Sequence, residues 1–64
     1  MTDKQFKKKV EEAIKTGVAI MPEGAQLVYH DGMFNGERYF AVYDNLGNCV
    51  DTSYSPINLY YLFK

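Results

Sequence analysis

The sequence predicts an α+β fold: an N-terminal helix packed on a three-stranded antiparallel meander, with a short C-terminal helix, in the order α-β-β-β-α. Three observations point there. Apolar residues among the first sixteen recur at helical spacing, the centre alternates between turn signals rich in Asn, Asp and Gly, and a Ser-Pro pair precedes a last apolar stretch. Residues 1–64 read as a single domain, with residues 18–21 as a short fourth edge strand or a buried connector.

In the first segment Phe6, Val10, Ala13 and Ile14 fall at i, i+4, i+7 and i+8, on one stripe of a helix. Thr2 and Gln5 make a capping-box pattern, and Met1 and Phe6 stand where a hydrophobic staple closes over the first turn. Gly17 ends the helix, because a left-handed residue past the last turn costs glycine no Cβ clash. Met21-Pro22-Glu23-Gly24 has Pro second and Gly fourth, the type I preference, and turns the chain into a strand over residues 26–30. A second strand covers residues 37–43. Of the two turn signals between them, Asn35-Gly36 is favoured over Asp31-Gly32, since a turn at the latter leaves Gly36 inside a strand, where it weakens pairing. Asp44-Asn45-Leu46-Gly47-Asn48 reads as a three-residue hairpin loop with Gly47 left-handed, leading into a third strand over residues 49–53. Ser55-Pro56 is an N-cap followed by Pro at the first helical position, so residues 57–63 form a final two-turn helix. The alternation of Ile57, Leu59, Tyr61 and Phe63 leaves a strand as the alternative there.

Composition narrows the function classes. At 47% hydrophobic and 23% charged, the chain belongs with folding sequences and not with disordered tails. A domain this short buries only about 60% of the surface its unfolded chain exposes, so the aromatic residues carry most of the core and little scaffold is left for catalysis. The single Cys excludes an intramolecular disulfide, and secreted domains of this size are normally stapled by several, so the expected compartment is a reducing cytoplasm. Lys4 and Lys7 to Lys9 lead into a charged segment and not into the apolar run of a signal peptide. The longest apolar runs, residues 18–21 and 59–63, fall far below the roughly 20 residues of a membrane helix, so no membrane partner is expected. The run from Met1 to Lys64 reads as a complete small reading frame.

A turn at Asn35-Gly36 pairs Tyr29 with Val42 and Asp31 with Phe40, and the second loop sets Val42 against Val50 and Phe40 against Thr52. One face then collects Leu27, Tyr29, Phe40, Val42 and Val50, the side on which the helix stripe packs. The opposite face collects Val28, His30, Tyr39, Ala41, Tyr43, Cys49 and Asp51, too apolar for a plain solvated face. Two readings compete there. Either the C-terminal segment folds over it as a second small core, or it is a docking surface, where tyrosines offer large, stiff, amphipathic contacts.

Constellations that carry chemistry are sparse. His30, Cys49 and Asp51 resemble a base, a nucleophile and an orienter, but they sit two strand spacings apart, about 9 to 10 Å, beyond hydrogen-bond reach. No catalytic residue is assigned. One His and one Cys fall short of a zinc site, and residues 44–48 lack the spacing and terminal Glu of a calcium loop, so neither a metal nor another cofactor is expected. No phosphate-cradling glycine motif or nucleophile elbow is present. Lys4, Lys7, Lys8, Lys9 and Lys15 invite a nucleic-acid reading, yet Lys7 with Glu11, Lys8 with Glu12, and Glu11 with Lys15 are i, i+4 pairs of a solvated helix face. Residues 1–15 carry a net charge of +2 and residues 16–64 one of −3.

The order of helix, three strands and helix resembles that of the double-stranded-RNA-binding domain over nearly the whole chain. The resemblance is topological: where that family has a basic start to its second helix and a Gly-Pro-x-His loop, this chain has Ser55-Pro56-Ile57-Asn58 and His30-Asp31-Gly32. It therefore implies no RNA-binding residues. The leading expectation is a non-enzymatic protein-binding module, a regulator or inhibitor of the kind phages and mobile elements encode, docking through Val28, His30, Tyr39, Tyr43, Cys49 and Asp51. Its partner is another protein or a second copy of itself in a homodimer. The alternative is a nucleic-acid-binding domain that stacks bases on Tyr39 and Tyr43 and holds phosphates with Lys4, Lys7, Lys8 and Lys15.

Overall fold

Thr2 sets the start of helix α1 (Asp3–Thr16) through both halves of a capping box. Its Oγ1 accepts the Gln5 N–H at 3.2 Å, and Gln5 Oε1 accepts the Thr2 N–H at 3.0 Å, which satisfies two donors the helix leaves open. Gly17, with φ 95°, closes the other end by donating its N–H to the Ala13 carbonyl at 2.7 Å. A computed structural model describes residues 1–34 and 36–64, with the backbone alone at 33 and 34.

Four strands follow: β1 (Val18–Ile20), β2 (Gln26–Phe34), β3 (Glu37–Tyr43) and β4 (Cys49–Ser53). They form one open antiparallel sheet in the order β1-β2-β3-β4, so residues 18–20 are a fourth, edge strand. The chain ends in a 3-10 helix, Pro56–Phe63. The architecture is the α+β one expected. Among the described residues no helix is long and apolar enough to cross a membrane.

The turns depart from expectation in three informative places. Between β1 and β2 a type I turn was expected, but Glu23 and Gly24 have φ of 63° and 81° while the Pro22 carbonyl accepts the Ala25 N–H at 3.3 Å. Two consecutive left-handed residues give the mirror-image turn, whose twist matches that of a tight hairpin where type I splays the strands.

Between β2 and β3 both glycine signals are used. Phe34 pairs with Glu37, the register a turn at 35–36 requires, although Asn35 itself lies outside the described residues. The register then shifts between Asp31 and Phe34, with Gly32 at φ 77° inside the irregularity. The pairs beyond it are Asp31 with Arg38, Tyr29 with Phe40 and Leu27 with Val42, in place of the expected Tyr29 with Val42 and Asp31 with Phe40. β2 accordingly runs on past His30. A shift of two residues returns every side chain to the face assigned from sequence.

The third departure changes faces. The loop after β3 forms as expected, with Asp44 N–H donating to the Asn48 carbonyl at 2.9 Å and Gly47 at φ 87°. Tyr43 pairs with Cys49, but Val42 then pairs with Asp51, leaving Val50 as the extra residue of a bulge. Phe40 consequently faces Ser53 and not Thr52, and Thr52 opposes Ala41. Asp51 moves to the helix-covered face, and Val50 stays 49% exposed instead of joining the core.

Phe6, Ala13, Ala19, Met21, Leu27, Phe40, Val42 and Leu59 form one buried cluster. α1 packs over β1 and β2, and the C-terminal helix packs over β3 and β4 on the same side. The Phe6 ring lies 5.0 Å from Tyr60 and 6.1 Å from Phe63, and the Tyr60 hydroxyl donates to the Met1 carbonyl at 2.9 Å, joining the two ends of the chain. The last segment is thus helical but of the tighter kind, without a side-chain cap from Ser55. Three residues per turn stack Leu59 over Leu62 and Tyr60 over Phe63, the four residues that contact the core, while Ile57 and Tyr61 stay exposed.

Candidate functional site

Because both helical elements lie on one side, the other face of the sheet is left without a covering element among the described residues. Three rows of paired residues cross it: Val18, Val28, Ala41 and Thr52; Ile20, Gln26, Tyr43 and Cys49; and His30 with Tyr39. Val18 is 38% and Ile20 55% exposed, an apolar flank at the β1 edge. At the opposite corner Tyr54, just past β4, is 71% exposed and shares a groove with Tyr39, Thr52 and Ser53.

The centre of this face is held in place by its own side chains. The His30 ring stacks on Tyr39 with centroids 4.5 Å apart and planes 15° from parallel. The Tyr43 hydroxyl hydrogen-bonds His30 Nε2 at 3.4 Å. Tyr43 stands four residues from the row of His30, so the two side chains meet by leaning towards each other across the row of Val28 and Ala41. That geometry explains why Ala41 has no exposed surface although it lies outside the core cluster. Stacking and hydrogen bonding together fix three rings as a platform.

Of the residues expected to form the site, the structure brings Val28, His30, Tyr39, Tyr43 and Cys49 onto this face and removes Asp51 from it. The bulge at Val50 is the reason. On the helix side Asp51 accepts the Tyr61 hydroxyl at 2.5 Å and the Thr52 N–H at 2.8 Å. The Tyr61 bond, and secondarily the Thr52 N–H, hold the Asp51 carboxyl below its usual range, and the same bond raises the Tyr61 phenol. The C-terminal segment packs with Leu59 in the main core, which overturns the reading in which it covers the tyrosine face as a second core.

This pair gives a signed pH dependence. A carboxyl depressed in the folded state contributes stability above its unfolded pKa, and loses it as pH falls through the folded one. A phenol raised in the folded state contributes below its unfolded pKa, and loses it as pH rises through the folded one. The stability difference between wild type and Tyr61→Phe, read from urea midpoints, should be flat from about pH 5 to 9 and shrink on both sides. A difference independent of pH contradicts the pairing.

The other constellations are not assembled. His30 on β2 and Cys49 on β4 are separated by β3, and Asp51 lies on the far face. Lys4, Lys7, Lys8 and Lys15 stand on α1, across the sheet from Tyr39 and Tyr43, and Lys7 pairs with Asp3 at 3.3 Å. Asp44 spends Oδ1 on the N–H groups of Leu46 and Asn48, each at 2.9 Å, and these bonds, Asn48's foremost, lower its carboxyl. Residues 44–48 therefore make a self-satisfied turn. Among the described residues no three His, Cys, Asp or Glu side chains converge as metal ligands.

Sequence reasoning missed Val18, Ile20, Thr52 and Tyr54 as members of the face. The first two follow once residues 18–20 are read as a paired strand, since alternation then sets them beside Val28 and Gln26. The last two depend on the bulge. Compared with known protein families, with curated proteins and with solved structures, the chain matches none, so the reading of this face rests on its own geometry.

Proposed function

We propose that this chain is a non-enzymatic protein-binding module that docks on another protein through the sheet face opposite its helices, as a small regulator or inhibitor would. The observation that supports it is the fixed platform of His30, Tyr39 and Tyr43 on an otherwise uncovered face. Side chains already held in one arrangement lose little conformational entropy when a partner arrives, and tyrosines supply contact area together with a hydroxyl that tolerates water. The exposed flank of Val18 and Ile20 extends the apolar area.

A nucleic-acid partner is the weaker reading, because stacking on Tyr39 and Tyr43 would take the phosphates to a face without the lysines of α1. Tyr43→Ala distinguishes the platform's two roles. Affinity for the partner should fall about 30-fold, the size of a 2 kcal/mol hot spot, with little change in melting temperature. Lost stability with unchanged affinity per folded molecule would sink the docking function. Generic DNA and RNA should show no binding at low salt, where phosphate contacts are strongest.

A further inference from the structure

We infer that the partner of this face presents a Lys or Arg side chain, taken up in the groove between Tyr39 and Tyr54 beside Glu37. The inference rests on the docking function proposed above and names the chemistry of the occupant. Alternation along β3 places Glu37 on the same face as Tyr39, while Arg38 turns to the other side, where it pairs with Asp31 at 3.2 Å. Five of the chain's seven cationic side chains are the lysines of α1, on the covered side. The tyrosine face is left with one carboxylate and a set of aromatic ring faces, among the described residues.

The groove is lined by Tyr39, Thr52, Ser53 and Tyr54. Glu37 borders it, since it stands two residues from Tyr39 on the same face of β3, and Tyr54, one residue past the Phe40–Ser53 pair, comes alongside both; the neighbouring Glu37 carboxylate raises the Tyr54 phenol. An ionised carboxylate is an acceptor with about four lone-pair sites, room for the several N–H groups of a cationic side chain. Aromatic ring faces carry negative potential, so a cation between two tyrosines is attracted by both rings and by Glu37 together. The long apolar stem of Lys or Arg matches the exposed ring of Tyr54, with its charged end at the carboxylate. A phosphate or carboxylate meets repulsion from the Glu37 carboxylate and from the ring faces, and a purely apolar side chain strips water from Glu37 without replacing it.

The test titrates the 15N-labelled chain with N-acetyl-arginine amide and, at equal ionic strength, with the neutral isostere N-acetyl-citrulline amide. Arginine should shift the amides of Tyr39, Thr52, Ser53 and Tyr54, and Glu37→Gln and Tyr54→Ala should each weaken it about fivefold. Equal shifts with citrulline, or shifts centred elsewhere, overturn the inference. Peptides selected from a random displayed library on the immobilised chain separate this from the docking function. Basic binders lost on Glu37→Gln and on Tyr43→Ala support both. Binders without Lys or Arg that fail on Tyr43→Ala alone overturn the cation and leave the docking face standing, and binders indifferent to Tyr43→Ala overturn both.

Discussion

A chain ended after Pro56 is expected to lose its cooperative unfolding transition altogether. The removed segment contributes Leu59, fully buried, and Tyr60, Leu62 and Phe63, all packed on the core. Fully buried Leu59 alone adds about 1.5 to 3 kcal/mol and the three partly buried side chains each add a fraction of that, whereas a domain of this length holds roughly 3 to 10 kcal/mol in total. Loss of the segment also uncovers Phe6, whose ring packs against Tyr60 and Phe63. Thermal melting by circular dichroism checks this, and a sharp transition retained by the truncated chain would show that the C-terminal helix is an accessory to the fold.

Phe40→Ala should destabilise the protein by about 3 to 5 kcal/mol, enough to leave a large unfolded fraction at room temperature. Phe40 is 5% exposed, sits mid-sheet between β2 and β4, and packs its ring 5.0 Å from that of Tyr29 at 44°. A melting curve close to wild type would mean that β3 presents its other face to α1, and the functional and structural faces would exchange places.

What the sequence made legible follows from where the information is local. Thr2, Gln5 and Gly17 specify α1 through bonds within a few residues, and Gly47 specifies the second hairpin loop in the same way. The bulges are different. Gly32 announced a conformation, yet whether it formed the turn or an irregularity depended on Asn35-Gly36 three residues on. Val50 carries no signal for its bulge, which serves instead to bring Asp51 under Tyr61, a contact between segments ten residues apart. An even register shift left the faces as read, and the single odd one cost the assignments of Val50 and Asp51.

The side taken by the C-terminal segment was equally non-local. Its apolar residues fit either face of the sheet by pattern. The aromatic contacts of Phe6 with Tyr60 and Phe63 decide for the α1 side, and with that decision the face of His30, Tyr39 and Tyr43 is left open.

Amide mapping of the 15N-labelled chain, titrated with the partner protein recovered by affinity capture, tests the docking face most directly. Broadening should centre on Val28, His30, Tyr39, Ala41, Tyr43 and Thr52 and leave α1 and Pro56–Phe63 unchanged. Broadening centred on the α1 lysines, or on the exposed Ile57 and Tyr61 of the C-terminal helix, would contradict the account and move the interface to the helical side.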